Sequence, residues 1–265
     1  GIDADLIFIS AGPVVVQALI AGDLQGGFAA TNAVIAAVLG GAPLVSVMSL
    51  VNRPYYRLWV QPEITRVEEL RAKTLGVSRF GSVTDNMTRI LLRKKNLEGA
   101  VNVRRFGGTT EIAAAFLHKQ IAGAVISALR VNAPMRMLVD LSELDFLYSN
   151  VVITVTRDYQ RRAPETLEAF VRAYLEGVAA AHEQKEKALK VIQKYTRLKD
   201  QRLIDELYND SVKFLERVPR LESEAIAPIV EFMGKKPIAV ETIADNSIVD
   251  RLVREGFIDR LYKKR

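Results

Sequence analysis

Four short stretches of hydroxyl, amide and small side chains stand where apolar runs end: Ser10 to Pro13, Ala30-Thr31-Asn32, Ser78 to Asp85, and Ser127-Ala128. Such residues do no covalent chemistry alone. They offer hydrogen bonds and, where they open a helix, the unpaired amides of its first turn, a combination that suits a small polar or anionic molecule. The third stretch is the richest. Gly81 frees the backbone, Ser82 can cap a helix beginning at Val83, and Asp85 completes the spacing of a capping box. Arg79 adds a cation matched to a carboxylate, sulfonate or phosphate, and Phe80 an aromatic wall. Plainer roles fit the same residues: Thr31 and Ser82 can cap their own helices, Arg79 can form a salt bridge, and Phe80 can pack in a core.

Other chemistries are excluded or unsupported. With no cysteine there is no disulfide, thiolate nucleophile, cysteine-zinc site or iron–sulfur cluster. His118 and His182 are the only histidines, too few for a multi-histidine metal centre. Gly107-Gly108 precedes Thr109 but no Gly-Lys-Ser/Thr follows, so it reads as a turn and helix start rather than a phosphate loop. The acid pairs Glu68-Glu69 and Asp205-Glu206 sit in charge-rich helical stretches and read as solvent-facing. No catalytic constellation emerges. The formal charge is +6, yet Lys and Arg alternate with acids, as in Glu183 to Lys187, which reads as a solvated helix face and not as a nucleic-acid surface.

The elements that must position these stretches follow from periodicity. Strands are expected at Asp5–Ile9, Gly26–Ala29, Leu44–Leu50, Tyr56–Val60, Thr74–Val77, Val101–Arg105, Gly123–Ile126, Met135–Val139 and Val151–Thr156. Helices are expected between them at Pro13–Ala21, Thr31–Leu39, Val83–Asn96, Thr109–Lys119 and Leu129–Ala133. Alternation of this kind argues an α/β fold with mostly parallel sheets, and in such sheets ligands bind beyond the carboxyl ends of strands. From Pro164 onward the pattern is helical only. Residues 24–52 carry no charge, but Gly26-Gly27, Thr31-Asn32 and Gly40 to Pro43 cut the run into pieces too short for the roughly 20 residues of a membrane span. No signal peptide is visible at Gly1 to Asp5.

Gln17 to Ala29 and Ala114 to Ile126 share one pattern of helix end, polar turn and short apolar strand. Two similar lobes are therefore expected, residues 1–60 with 151–265 and residues 61–150, joined by hinge strands near 56–60 and 151–156. Tyr55, Tyr56 and Trp59 would pack at that hinge.

Leu75 to Asp85 resembles the solute-binding proteins of ABC importers in the nitrate/sulfonate/taurine group, which are related to thiamine-pyrimidine synthases. Gln17 to Asp23, Val34 to Pro43, Val67 to Lys73, Gly107 to Thr109 and Gly256 to Asp259 carry the same resemblance in the same order. It implies a two-lobed, type II periplasmic-binding-protein-like fold, each lobe a mostly parallel sheet flanked by helices, with a helical C-terminal layer. It further implies hinge closure on a small organic or anionic molecule and delivery to the membrane subunits of a permease, with no cofactor and no turnover. The pocket so implied uses Ser10, Thr31, Asn32, Arg79, Phe80, Ser82, Val83, Thr84, Ser127 and Asn150. A monomer in the periplasm or outside the cell is expected, with a lipid anchor as one form. The family pattern places a strand and helix ahead of the segment that begins here at Gly1. The synthase relatives depend on a cysteine-rich motif that this chain lacks, which argues against the enzyme branch; a ligand-sensing effector domain is the other alternative.

Overall fold

The computed structural model describes residues 2–9, 12–127, 131 and 133–263. The chain packs as two compact units, one of Gly1–Asn52 with Tyr148–Arg265 and one of Arg53–Leu147.

The first unit opens with α1 (Gly12–Ala21), β1 (Gly26–Ala30), α2 (Thr31–Leu39) and β2 (Leu44–Val51). The chain then builds the second unit: β3 (Arg57–Val60), β4 (Thr74–Val77), α3 (Val83–Lys94), β5 (Asn102–Arg105), α4 (Thr109–Leu117), β6 (Gly123–Ile126) and β7 (Arg136–Asp140). It returns with β8 (Val151–Thr156) and closes with a helical layer, α5 (Arg157–Arg162), α6 (Pro164–Glu183), α7 (Lys185–Thr196), α8 (Gln201–Phe214), α9 (Ser223–Phe232), α10 (Ser247–Arg254) and α11 (Phe257–Tyr262).

In the first unit the strand order is β1-β8-β2, and β8 pairs antiparallel with both neighbours. Since β1 and β2 both oppose β8, they point the same way, so the unit β1-α2-β2 is a crossover into which a sequence-distant strand has been inserted. All eight residues of β2 are buried. Its outer edge is covered by the C-terminal layer: Ser46 N donates to Ile243 O (2.8 Å), Ser49 N to Pro219 O (2.9 Å) and Glu216 N to Leu50 O (2.9 Å). Pairing of this kind removes an exposed strand edge.

The second unit's sheet has the order β5-β4-β6-β3-β7. β5, β4 and β6 run parallel through α3 and α4, whereas β3 is antiparallel to β6 and β7. At Gly123 the strands come so close that an added Cβ would lie 2.3 Å from the Trp59 carbonyl oxygen, which only glycine avoids. One core layer beneath this sheet joins Ile112, Phe116, Ile121, Ala124 and Ile126, with Trp59 and Phe106 packed against it.

Three expectations need correction. The sheets are not mostly parallel: the first has only antiparallel pairings and the second is mixed. Helical crossovers were visible in the sequence, but the strands β3, β7 and β8 that run back between or beside them carry no mark of direction. Asp5–Ile9 forms no strand; residues 5–8 are exposed and no ladder holds them, and strand propensity without a pairing edge does not make a strand. Strands 57–60 and 151–156 are interior members of their own sheets, and the chain passes between units at Asn52–Arg53 and Leu147–Tyr148. The helix expected at Leu129–Ala133 falls largely outside the described residues.

Candidate ligand-binding site

In the first unit, the carboxyl ends of β1 and β2 flank the amino end of β8, with Ala30 and Val51 both paired to Val151. Polar side chains collect there. Thr31, 1% exposed, does not cap α2: Ala30 holds the cap position, and the Thr31 hydroxyl lies 2.8 Å from the Ser149 hydroxyl. Ser149 lies 2.8 Å from Ser49 Oγ, and Ser49 Oγ donates to Asn52 Oδ1 (2.6 Å). Asn52 Nδ2 donates to the Arg220 carbonyl (2.8 Å), which fixes the orientation of the amide. The direction of every hydrogen then follows. A hydroxyl has one proton; that of Ser49 goes to Asn52, so Ser49 accepts from Ser149, and Ser149 accepts from Thr31. Asn150 completes the set through its backbone, its carbonyl accepting from Thr31 N (3.1 Å), the first amide of α2, and its N–H donating to Val51 O (2.9 Å). Its side chain donates to Tyr148 O (2.9 Å). Asn32 is buried in the first turn of α2. Ser10 lies outside the described residues.

In the second unit, parallel strands β5, β4 and β6 end side by side, so the segments after them meet. Ser78 N donates to Thr84 Oγ1 (3.0 Å), and the hydroxyls of Ser78, Ser82 and Thr84 form a triangle with sides of 2.9 to 3.0 Å. Ser82 caps α3 by accepting from Asp85 N (3.4 Å). Asp85 reaches back to Gly81 N (2.8 Å) instead of the Ser82 amide that a capping box uses, and its other oxygen takes Arg89 Nε (2.8 Å). That ion pair neutralises the carboxylate nearest the helix start. Gly81 at φ +76° supplies the left-handed turn that brings its amide to Asp85. The amides of Val83 and Thr84 open α3 and have no acceptor within the helix.

Arg79 and Phe80 project from this loop. Arg79 is exposed and makes no salt bridge among the described residues. Phe80 is 54% exposed, so it is not core, and Arg89 stacks on it at 5.9 Å. Ser78, Arg79, Phe80, Arg105, Phe106 and Gly107 line an open cleft of about 570 Å³. Ser127 stands half-buried at the end of β6, where its carbonyl accepts from Arg57 Nη1 (3.1 Å); Arg57 also meets Asp140 (3.5 Å) across the β3–β7 pair.

Charge separates the two units. Residues 53–147 carry fifteen Lys and Arg against nine Asp and Glu (15 − 9 = +6), and the remainder of the chain twenty-two of each. The whole formal excess therefore lies in the unit with the open cleft. Among groups with displaced pKa values, in the first unit burial pushes the phenols of Tyr174 and Tyr262 up and the His182 imidazole down, and in the second unit the Thr65 backbone N–H and then Arg66 hold the Glu69 carboxyl below its ordinary value. Among the described residues no three His, Cys, Asp or Glu side chains gather to hold a metal ion, and no helix is long and apolar enough to cross a membrane.

Sequence reasoning did not single out Ser49, Asn52 and Ser149, or Arg105 and Phe106. A signal for the second pair was present: the tripeptide Arg-Phe-Gly occurs at 79–81 and again at 105–107.

The NMT1/THI5-like family model matches residues 1–188. The chain belongs to the NMT1/THI5-like family. No curated protein sequence matches it. Among solved structures it is similar to the periplasmic aliphatic sulphonate binding protein SsuA from Escherichia coli, at 18% identity and a TM-score of 0.68, covering 97% of this chain and 82% of that one. The alkanesulfonate-binding protein SsuA from Xanthomonas axonopodis pv. citri, bound to MOPS, gives 18% identity and a TM-score of 0.64 over 97% and 82% of the two chains. A zinc-bound ligand-binding component of an ABC-type import system from Staphylococcus aureus gives 14% identity and a TM-score of 0.72 over 93% and 87%. This NMT1/THI5-like chain thus has the α/β fold of periplasmic binding proteins, with helices flanking each sheet.

Proposed function

We propose that this NMT1/THI5-like protein is the solute-binding component of an ABC importer, acting in the periplasm or outside the cell and delivering a small organic or anionic molecule to the membrane subunits of its permease. The observation that carries this reading is the match of nearly the whole chain to the fold of proteins described as binding sulfonates or as ligand-binding components of import systems. The strand ends of the second unit supply groups that such a role needs: the amides that open α3 and the exposed guanidinium groups of Arg79 and Arg105. Binding acts by population shift, since a ligand with greater affinity for one arrangement of the chain draws the protein into it. Nothing in this role requires bond making. The protein works as a monomer, and its permease recognises the liganded form.

Thermal shift across nitrate, ethanesulfonate, benzoate, benzenesulfonate and a pyrimidine tests the reading. A ligand at about a hundred times its Kd stabilises by about 2.7 kcal/mol, a readily measured rise in Tm. Silence from the whole panel with an intact fold counts against a solute-binding role. Conversion of a bound pyrimidine into a new product would move the protein to the synthase-like branch.

A further inference from the structure

The two Arg-Phe-Gly tripeptides, 79–81 and 105–107, end adjacent parallel strands β4 and β5 and line one cleft. In each, the glycine takes a positive φ, +76° at Gly81 and +105° at Gly107, so the chain turns away directly after the phenylalanine. The ladder between the strands runs on past their ends, with Phe106 N donating to Val77 O (2.9 Å) and Gly107 N to Ser78 O (2.8 Å). That pairing holds both tripeptides at fixed register. Phe106 packs against the core layer around Phe116 and Ile121 with Arg104 over its ring (5.3 Å), and Arg89 lies over the Phe80 ring (5.9 Å). Arg79 and Arg105 are both exposed and make no salt bridge among the described residues.

We infer that this paired motif is a specificity device for an anion carried on an aromatic ring, with Arg79 and Arg105 taking the anionic oxygens and Phe80 and Phe106 the ring. The inference rests on the solute-binding reading and deepens it. The hydroxyls of Ser78, Ser82 and Thr84 are spent on one another, three protons for three edges of the triangle, so they hold the loop and leave anion recognition to the guanidinium groups and the α3 amides. Guanidinium groups pair with two oxygens of one carboxylate, sulfonate or phosphate, and phenyl faces favour offset or edge contact with a second ring. The carboxylates nearby do not compete equally: Asp85 is paired with Arg89, while Glu111 folds over the start of α4, 2.7 Å from where a Cβ on Gly108 would lie. An aliphatic anion would satisfy the arginines but would add no ring contact at Phe80 or Phe106.

Calorimetry of the full chain with benzenesulfonate and ethanesulfonate, equal in charge and head group, separates ring from anion. Benzenesulfonate is expected to bind at least tenfold more tightly. Arg105→Gln should weaken both ligands by about tenfold to a hundredfold, the loss of a charge-assisted hydrogen bond. Phe80→Leu should erase most of the preference for benzenesulfonate while leaving ethanesulfonate within about twofold, and circular dichroism of each variant confirms its fold. Equal affinity for the two sulfonates, or an Arg105→Gln protein that binds as the parent does, overturns the inference while leaving solute binding intact. Absence of binding by either sulfonate, where another solute does raise Tm, overturns it too; absence of binding by every solute tested instead removes the reading beneath it.

Discussion

Replacing Ser149 with alanine cuts the buried hydroxyl chain in its middle, and the cost follows from the direction of its protons. Ser149 accepts from Thr31 and donates to Ser49, at 2.8 Å each, where Thr31, Ser149 and Ser49 are at most 1% exposed. Loss of two neutral buried bonds costs about 1 kcal/mol each, and the Thr31 proton, left without an acceptor, adds about 1 to 2 more. Ser149→Ala should therefore destabilise the protein by about 3 to 4 kcal/mol. Thr31→Val removes the first donor of the chain and strands no proton, so it should cost only about 1 kcal/mol. In the double variant no donor is orphaned, and the cost should be near 2 kcal/mol, giving a coupling of about 2 to 3 kcal/mol between the two sites. Urea denaturation followed by far-ultraviolet circular dichroism measures all three. The reasoning fails if Thr31→Val costs as much as Ser149→Ala, or if the two add to within 0.5 kcal/mol, the level of independent sites.

Gly123→Ala should destabilise the second unit by about 3 kcal/mol, at the upper end for overpacking, because the added methyl meets the Trp59 backbone oxygen and not a movable side chain. Trp59, the only tryptophan, reports that transition by its own fluorescence. His182 lies edge-on to Tyr262 (5.8 Å), and burial, then Arg217, holds its pKa below 6.5. The unfolded chain thus binds the proton more readily, so stability is full above pH 6.5 and falls as the pH drops from there through the folded-state pKa. A His182→Gln protein should show a flatter Tm profile over that window; an unchanged profile would assign the acid sensitivity to other groups.

Local signals were legible where one element sufficed to produce them. Thr31–Leu39 is read with both ends correct because an uncharged apolar stretch runs from a β-to-α junction to Gly40. Gly123–Ile126, with its polar turn before and Ser127 after, is equally plain. What the sequence could not carry was partnership across long separations. β8 inserts between β1 and β2 from more than a hundred residues away, and nothing in Val151–Thr156 states which strands it joins or in which direction. Asp5–Ile9 has the composition of a strand and no ladder. The site shows the same division. Thr31, Ser82 and Arg79 were visible as residue types, but their environments were not: Thr31 is walled in beside Ser149, Ser82 caps its helix and also bonds Ser78 and Thr84, and Arg79 stands exposed.

The two strand-end clusters differ in a way that residue counts conceal. In the first unit the hydroxyl protons all run inward and end on Asn52, whose own amide is committed to Arg220, so the cluster is a closed device that ties the start of α2, the end of β2, the segment before β8 and the segment after α8 together. In the second unit the hydroxyl triangle is likewise closed, yet two guanidinium groups beside it remain open, and the full +6 excess lies in that unit. Hydroxyls and amides are the groups that commonly line a binding edge. Their geometry assigns them to holding the loops, and the capacity to attract an anion falls to Arg79 and Arg105, which make no salt bridge among the described residues. A field of that kind acts beyond contact distance and is screened by salt, so an anionic solute that uses these groups must bind more weakly as ionic strength rises, whereas one held by the buried hydroxyls alone would not.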